Sequence, residues 1–334
     1  MIQYPPKVNN HEGKPRKMGL EIEFSGLSID EIVALVKECY GGVTEAESGV
    51  KKYVKDSRLG DFTIELDWAN LQKLAKEKPI EGLGDELGFP VDPDWQFRIE
   101  HILTSAASTV VPYEVSFPAV PFQQIPELEH LRRAILEKKG KGTGASAFNA
   151  FGLHLNPEAP SLEASDILRY LQAFLLLYEW LIEAHEINIT RKITPFIDAF
   201  PDAYVEKVLD PGYKPDHAML IDDYLTYNPT RNRPLDMLPL FAWIDKKRVR
   251  QKLEDELIRS RPTFHYRLPN SSVDDPEWTF THEWNIWVQV EQLAESDEKR
   301  KHLMDLYTEK RDHPGKEMLE KWKRAWNSIM KEKP

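Results

Sequence analysis

Cysteine is almost missing from this chain. Cys39 is the only one in 334 residues, which rules out a disulfide framework and a cysteine-ligated metal site. It falls in an amphipathic stretch, where a lone thiol behaves as a small apolar side chain. Long apolar runs are missing as well. The most hydrophobic segment, Leu171 to Ile182, is interrupted by Gln172 and Glu179 and falls short of the about 20 apolar residues that a bilayer span requires. Met1 to Met18 is polar, with proline and lysine and no hydrophobic segment, so no secretory signal is expected. Basic charge is in deficit: 55 acidic residues against 44 basic ones leave a formal net charge of −11, which disfavours nonspecific binding to nucleic acid or an anionic membrane. An acidic protein can still bind an anionic nucleotide when a metal ion supplies positive charge. A phosphate-cradling loop is not spelled out either. Gly140-Lys141-Gly142-Thr143-Gly144-Ala145-Ser146 lacks the spacing such a loop needs and reads as a mobile connector, compatible with a lid. The expectation is a cytoplasmic protein with neither nucleic acid nor membrane as partner, long enough for one large domain or two closely packed ones.

What is present is a recurring alternation. In Gly19-Leu20-Glu21-Ile22-Glu23-Phe24 the apolar residues face one way and the two glutamates the other, about 7 Å apart if the segment is a strand. Two carboxylates that close repel unless a cation, a shared proton or solvent separates them, and an oxygen pair suits Mg²⁺ or Mn²⁺ better than zinc. Phe62 to Asp67 repeats the pattern with Thr63, Glu65 and Asp67 on the polar face. Glu114 and Ser116 share a face within Pro112 to Phe117, His154 and Asn156 within Phe151 to Pro157, and His265 and Arg267 within Phe264 to Leu268. Any single strand of this kind is most simply one with a wet face in an antiparallel sheet. Together the five polar faces pool carboxylates, histidine, asparagine and arginine without a lysine, which points to a site.

Helical segments separate these strands. Ser28 caps a helix that runs to Tyr40 and stops at Gly41-Gly42. Pro126 opens another that runs through Lys139, Ser161 to His185 is the longest, and Trp284 to Glu295 carries tryptophans at turn spacing. Leu235 to about Arg259 also has helical character, whereas Arg191 to Arg233 is irregular. No internal repeat is apparent. The pattern predicts an α+β fold, a curved and mainly antiparallel sheet with helices packed on its apolar face. The expected organisation is an extension over residues 1–16, a catalytic domain over 17–296 with a proline- and glycine-rich insertion at 77–98, and a charged, solvated helical hairpin over 297–334.

Four motifs occur in a telling order: Gly19 to Phe24, Tyr113-Glu114-Val115-Ser116-Phe117-Pro118, Gly152-Leu153-His154-Leu155-Asn156, and Tyr266-Arg267-Leu268-Pro269-Asn270, with Thr230 to Leu240 between the last two. In this the chain resembles the amidoligase family from about Lys17 to Ala294, a family similar to glutamine synthetase and glutamate-cysteine ligase. The resemblance implies a glutamine synthetase-like catalytic domain that joins a carboxylate to an amine with ATP and Mg²⁺ or Mn²⁺ through an acyl phosphate. It also implies roles: Glu21, Glu23 and Glu114 as metal carboxylates, His154 on the nucleotide or metal side, and Arg267 near the transferred phosphate. Arg231 would assist Arg267, Arg233 and Asn156 would contact the nucleotide, and Glu65 or Asp67 would take a proton from the amine or ligate metal. Arg231 and Arg233 read equally well as charges on a surface loop. Two positions depart from the family pattern. Asn156 stands where a second histidine is usual, and His265 stands where a metal-binding glutamate is more common, so His265 either ligates through nitrogen or marks altered chemistry. A peptide, amino acid or small metabolite is the substrate class implied. A metal-dependent hydrolase using the same carboxylates and a noncatalytic binding module of the same fold stay open as alternatives, and the oligomeric state is open too.

Overall fold

The computed structural model describes residues 1–67, 112–143, 151–187, 198–253, 258–313 and 316–331. The insertion expected at 77–98 and the end of the glycine-rich connector lie outside the described residues. Strand β1 (Lys17–Phe24) is the axis of the molecule. Leu20, Ile22 and Phe24 are wholly buried, so the alternation read from sequence sets one face of the strand in the core and leaves the glutamates on the other. Eight further strands join it among the described residues: β2 (Val43–Ala46), β3 (Lys51–Ser57), β4 (Gly60–Leu66), β5 (Tyr113–Ser116), β6 (Val120–Pro121), β7 (Leu153–Pro157), β8 (Leu235–Asp236) and β9 (His265–Tyr266). They form one antiparallel sheet in the order β2-β3-β4-β5-β1-β7-β9-β8, with β6 pairing onto the start of β1.

Helices α1 (Ile29–Tyr40), α2 (Ile125–Glu137) and α3 (Ala164–Ala184) follow the strands that precede them in the chain. Ser28 closes a capping box with Glu31 at the start of α1, an arrangement worth about 1 kcal/mol. Tyr40 at its end stacks on Phe62 of β4 at 5.1 Å between ring centroids. The tyrosine hydroxyl donates to the carbonyl of Leu128 and ties α1 to α2. Beyond them come α4 (Asp202–Leu209), α5 (His217–Tyr227), α6 (Leu238–Ile244), α7 (Lys246–Lys252) and α8 (Phe280–Ala294). Tyr170 of α3 stacks on Phe264, and Trp287 of α8 packs on Tyr266, so α1, α3 and α8 cover the apolar side of the sheet. No helix among the described residues is long and apolar enough to cross a membrane.

Several boundaries differ from the sequence reading. The stretch from Arg191 to Arg233 holds α4 and α5, which short amphipathic segments between prolines had concealed. The helical character expected from Leu235 to about Arg259 is found in the two short helices α6 and α7, after an opening that is strand β8; they are broken at Asp245, which caps the second by accepting from the Arg248 amide. The last strand is only two residues of regular ladder. The C-terminal hairpin, α9 (Asp297–Asp312) and α10 (Lys316–Lys331), is docked rather than solvated. Trp322 and Trp326 are buried, and Trp322 Nε1 donates to Glu179 of α3 at 3.0 Å. The N-terminal segment is held equally firmly. Arg16 and Glu291 of α8, both fully buried, form a two-point ion pair at 2.6 and 2.7 Å.

Candidate active site

Register decides which polar side chains meet. Glu23 on β1 stands directly across from Glu114 on β5, which stands across from Glu65 on β4, so three carboxylates form a row over three strands. Like charges placed directly opposite cost stability, and nothing in the fold requires this row. Two residues along, Thr63, Ser116, Glu21 and His154 form the next row. On the far side, the pairing of Leu155 with Tyr266 brings His154 beside Arg267 and Asn156 beside His265, and Asp236 faces His265 from β8.

These rows floor a cavity of about 230 Å³. Glu21, Glu23, Glu65, Glu114, His154 and His265 line it, together with Arg231 and Arg267. Two of the residues expected at the site are placed differently. Asn156 stands behind the lining, where its Nδ2 donates to Glu21 Oε1 at 3.1 Å and its Oδ1 accepts from His265 Nδ1 and Arg261 Nη2, each at 2.7 Å. Arg233 is not in the cavity. Its guanidinium donates to the backbone carbonyls of Asp198, Ala199 and Tyr227 and lies over the Phe200 ring. Its role is to hold the loop before β8.

Three charged lining groups escaped the sequence reading: Asp236, Arg259 and Arg261. A signal for the arginines exists, since Arg259, Arg261, Thr263, His265 and Arg267 continue one period-2 series. Thr263 bridges to Glu158, so the extended run begins before the regular ladder of β9. Asp236, lone acid of an otherwise apolar run from Leu235 to Phe241, was likewise visible as a charge in core-like surroundings.

The hydrogen bonds orient the imidazoles. His154 Nδ1 lies 3.0 Å from Glu21 Oε2 and its Nε2 3.5 Å from Glu23 Oε1. A carboxylate only accepts, so Nδ1 carries the proton given to Glu21 and Nε2 faces Glu23. Glu23 Oε2 accepts from the Gly152 amide at 2.8 Å. Arg261 Nη2 reaches Glu21 Oε1 at 3.4 Å and also lies 3.0 Å from His265 Nδ1.

The electrostatics divide these groups. Burial pushes Glu114 well above the ordinary carboxylate range, and the charges of Glu21, Asp67, Glu23 and Glu65 push the same way. Burial also acts to raise Glu21, but the hydrogen bond from His154 and the positive side chains around it prevail and hold that carboxyl well below its usual range. His265 is depressed well below the ordinary imidazole value, first by burial and then by Arg261, His154 and Arg267, with only Glu21 opposing. It is therefore neutral, with Nδ1–H donated to Asn156. Asp236 is raised to about 6 by burial, against the Leu238 amide and the nearby arginines.

Two donor sets are compact enough to hold a metal ion, Glu21 with His154 and His265, and Glu23 with Glu114 and His154; the ligand atoms of each lie within 4.8 Å of one another. Glu114, whose carboxyl is raised by burial and by the charges of the carboxylates around it, fits a hard divalent cation, which would supply counter-charge and release the proton. Facing it, Arg267 and Arg231 are suited to anionic oxygens.

No curated protein and no solved structure matches the chain. A family model does, the one described as Putative amidoligase enzyme, over residues 14–289. That span takes in β1 through most of α8, and with them every strand of the sheet and every residue of the cavity, so the chain belongs to the amidoligase enzyme family.

Proposed function

We propose that this chain is an ATP-dependent ligase that joins the carboxylate of a peptide, amino acid or small metabolite to an amine through an acyl phosphate, in the cytoplasm, on a sheet of the glutamine synthetase catalytic type. One observation carries this reading. Glu114, set between Glu23 and Glu65 across the strands, calls for a cation, while the guanidiniums of Arg267 and Arg231 line the same cavity and are suited to anionic oxygens. A nucleoside triphosphate with its Mg²⁺ or Mn²⁺ satisfies both sides at once. Bound there by Glu23, Glu114 and His154, the metal ion would neutralise phosphate oxygens and draw electrons from the γ-phosphorus.

The chain's own groups then have defined tasks. Arg267 is oriented by the bond from its Nη1 to the Arg231 carbonyl, and the two guanidiniums stabilise charge that builds on the phosphoryl oxygens. A substrate carboxylate oxygen bonds to the γ-phosphorus as the bond to ADP breaks. The amine then attacks the carbonyl carbon, and phosphate leaves with the former carboxylate oxygen. Glu65, held between Lys51 and Arg259 at 3.6 Å each, sits where it can accept the proton the amine loses.

Hydroxylamine tests this directly, because it is a small and strong nucleophile that replaces an unknown amine and traps the activated carboxylate as a hydroxamate. Wild type should give hydroxamate and ADP together from some member of a carboxylate panel that includes glutamyl peptides and peptide C-termini. Arg267→Lys should lose most of that activity, since an ammonium lacks the two-point planar contact. A panel that yields no carboxylate-dependent ADP would sink the ligase reading.

A further inference from the structure

We propose that the cavity takes a single divalent ion in the absence of nucleotide, held by Glu23, Glu114 and Nε2 of His154, and that Arg261 is a fixed cation standing where a second ion would otherwise sit against Glu21. The proposal rests on the metal-dependent reading above and deepens it. The two donor sets share His154, yet their surroundings differ. Both oxygens of Glu21 are engaged. Oε2 accepts from His154 Nδ1, while Oε1 accepts from Asn156 Nδ2 and from Arg261 Nη2. The second possible ligand on that side, His265, gives its Nδ1 proton to Asn156, and Arg261 lies within 3.0 Å of the same nitrogen. A guanidinium does not lose its proton at any ordinary pH. An ion between Glu21 and His265 would have to lie beside a positive charge already tied into that network.

In the other set Glu23 and Glu114 face each other across the strands, with His154 Nε2 3.5 Å from Glu23 Oε1; Glu23 accepts from the Gly152 amide and Glu114 from the Ser116 hydroxyl. Glu21 completes the arrangement from behind. By accepting the Nδ1 proton of His154 it fixes the tautomer and turns Nε2 toward Glu23, the way a carboxylate commonly backs a metal-binding histidine. Glu21, a metal carboxylate by the sequence reading, is here a positioning residue. His265 in place of the more usual glutamate fits the same scheme, because an arginine beside it makes a further anionic ligand unnecessary.

Mn²⁺ titration of the full chain without nucleotide, followed by electron paramagnetic resonance and calorimetry, tests the assignment. Wild type should bind one ion, and Glu23→Gln and Glu114→Gln should each abolish that binding. Glu21→Gln should keep the single site with affinity lowered about tenfold, the scale of losing a histidine-orienting partner. Arg261→Gln should take up a second ion and show the broadened spectrum of two neighbouring Mn²⁺ ions, while Arg261→Lys, which keeps the charge, should stay at one. Thermal unfolding confirms that each variant is folded. Two ions in wild type, a stoichiometry of one in folded Arg261→Gln, or loss of the site in Glu21→Gln as complete as in Glu23→Gln would each overturn the inference alone. No Mn²⁺ binding by wild type would overturn the metal-dependent reading with it.

Discussion

Glu114→Gln should make the metal-free protein more stable while abolishing its metal binding, and the gain should depend on pH. Glu114 and Glu23 place ligand oxygens within 4.8 Å of each other, and at an effective dielectric of about 20 two unit charges at that distance repel by about 3 kcal/mol. The carboxyl of Glu114 is raised well above its ordinary range by burial and by its neighbours' charges. A group raised on folding contributes stability that is fully present below its unfolded value and lost as pH rises through its folded value. Wild type should therefore lose stability on going from pH 5 to pH 8, and the glutamine variant, which has nothing to titrate there, should lose less. The gap should be small in acid and approach about 3 kcal/mol in weak base. Unfolding in urea with a chelator present, at several pH values, measures it. Adding Mg²⁺ should reverse the order, because the ion binds the folded wild type only. A gap that does not change with pH, or a variant less stable than wild type at pH 8, would refute the claim that the row is held under repulsion.

Metal binding to wild type near pH 6 should release a proton, since the ion needs Glu114 ionised and burial keeps it protonated; calorimetry in two buffers of different ionisation enthalpy counts that proton, and a count of zero refutes the assignment. Affinity should fall as pH drops, by up to about tenfold per unit for each proton displaced. Glu291→Gln removes the partner of a wholly buried guanidinium, Arg16, and should cost about 3–5 kcal/mol in the unfolding midpoint, with Arg16→Met in the same chain recovering much of it. Arg233→Ala should lower stability by loosening the loop before β8 while leaving Mn²⁺ affinity unchanged; a large loss of affinity in a folded variant would return Arg233 to the site.

The pairing of Glu21 with Glu23, of Glu114 with Ser116 and of His265 with Arg267 on one face was legible because strand alternation is a local property, decided by neighbours two residues away. So was α1, whose cap, apolar stripe and terminal glycines all lie within fifteen consecutive positions. The two-strand edge β2 and β3 was not, because β2 is exposed along its whole length and β3 is mostly half-buried, and neither shows the apolar half of the pattern strongly. The helical character read from Leu235 onward was misplaced only at its start, for a related reason. Leucines and phenylalanine at that density satisfy a buried strand and a buried helix alike, and only the pairing of Leu235 with Tyr266 decided for the strand.

By itself the sequence determined which polar residues share a face: carboxylates, histidines, an asparagine and an arginine on strands whose other face must be buried. Hydrophobic burial on one side leaves those side chains only one direction to point. What the tertiary structure alone decided is who stands next to whom. Sheet register set Glu23 against Glu114 and Glu21 against His154, and it drew Asn156 into one network with Arg261 and His265, more than a hundred residues further along the chain. It also removed Arg233 from the site and gave Glu21 both oxygens to hydrogen bonds. Charge and hydrogen bonding fall off within a few ångströms, so the role of each carboxylate follows from its neighbours in space. Those neighbours are fixed by strand pairing between segments distant in the chain, which no local pattern encodes.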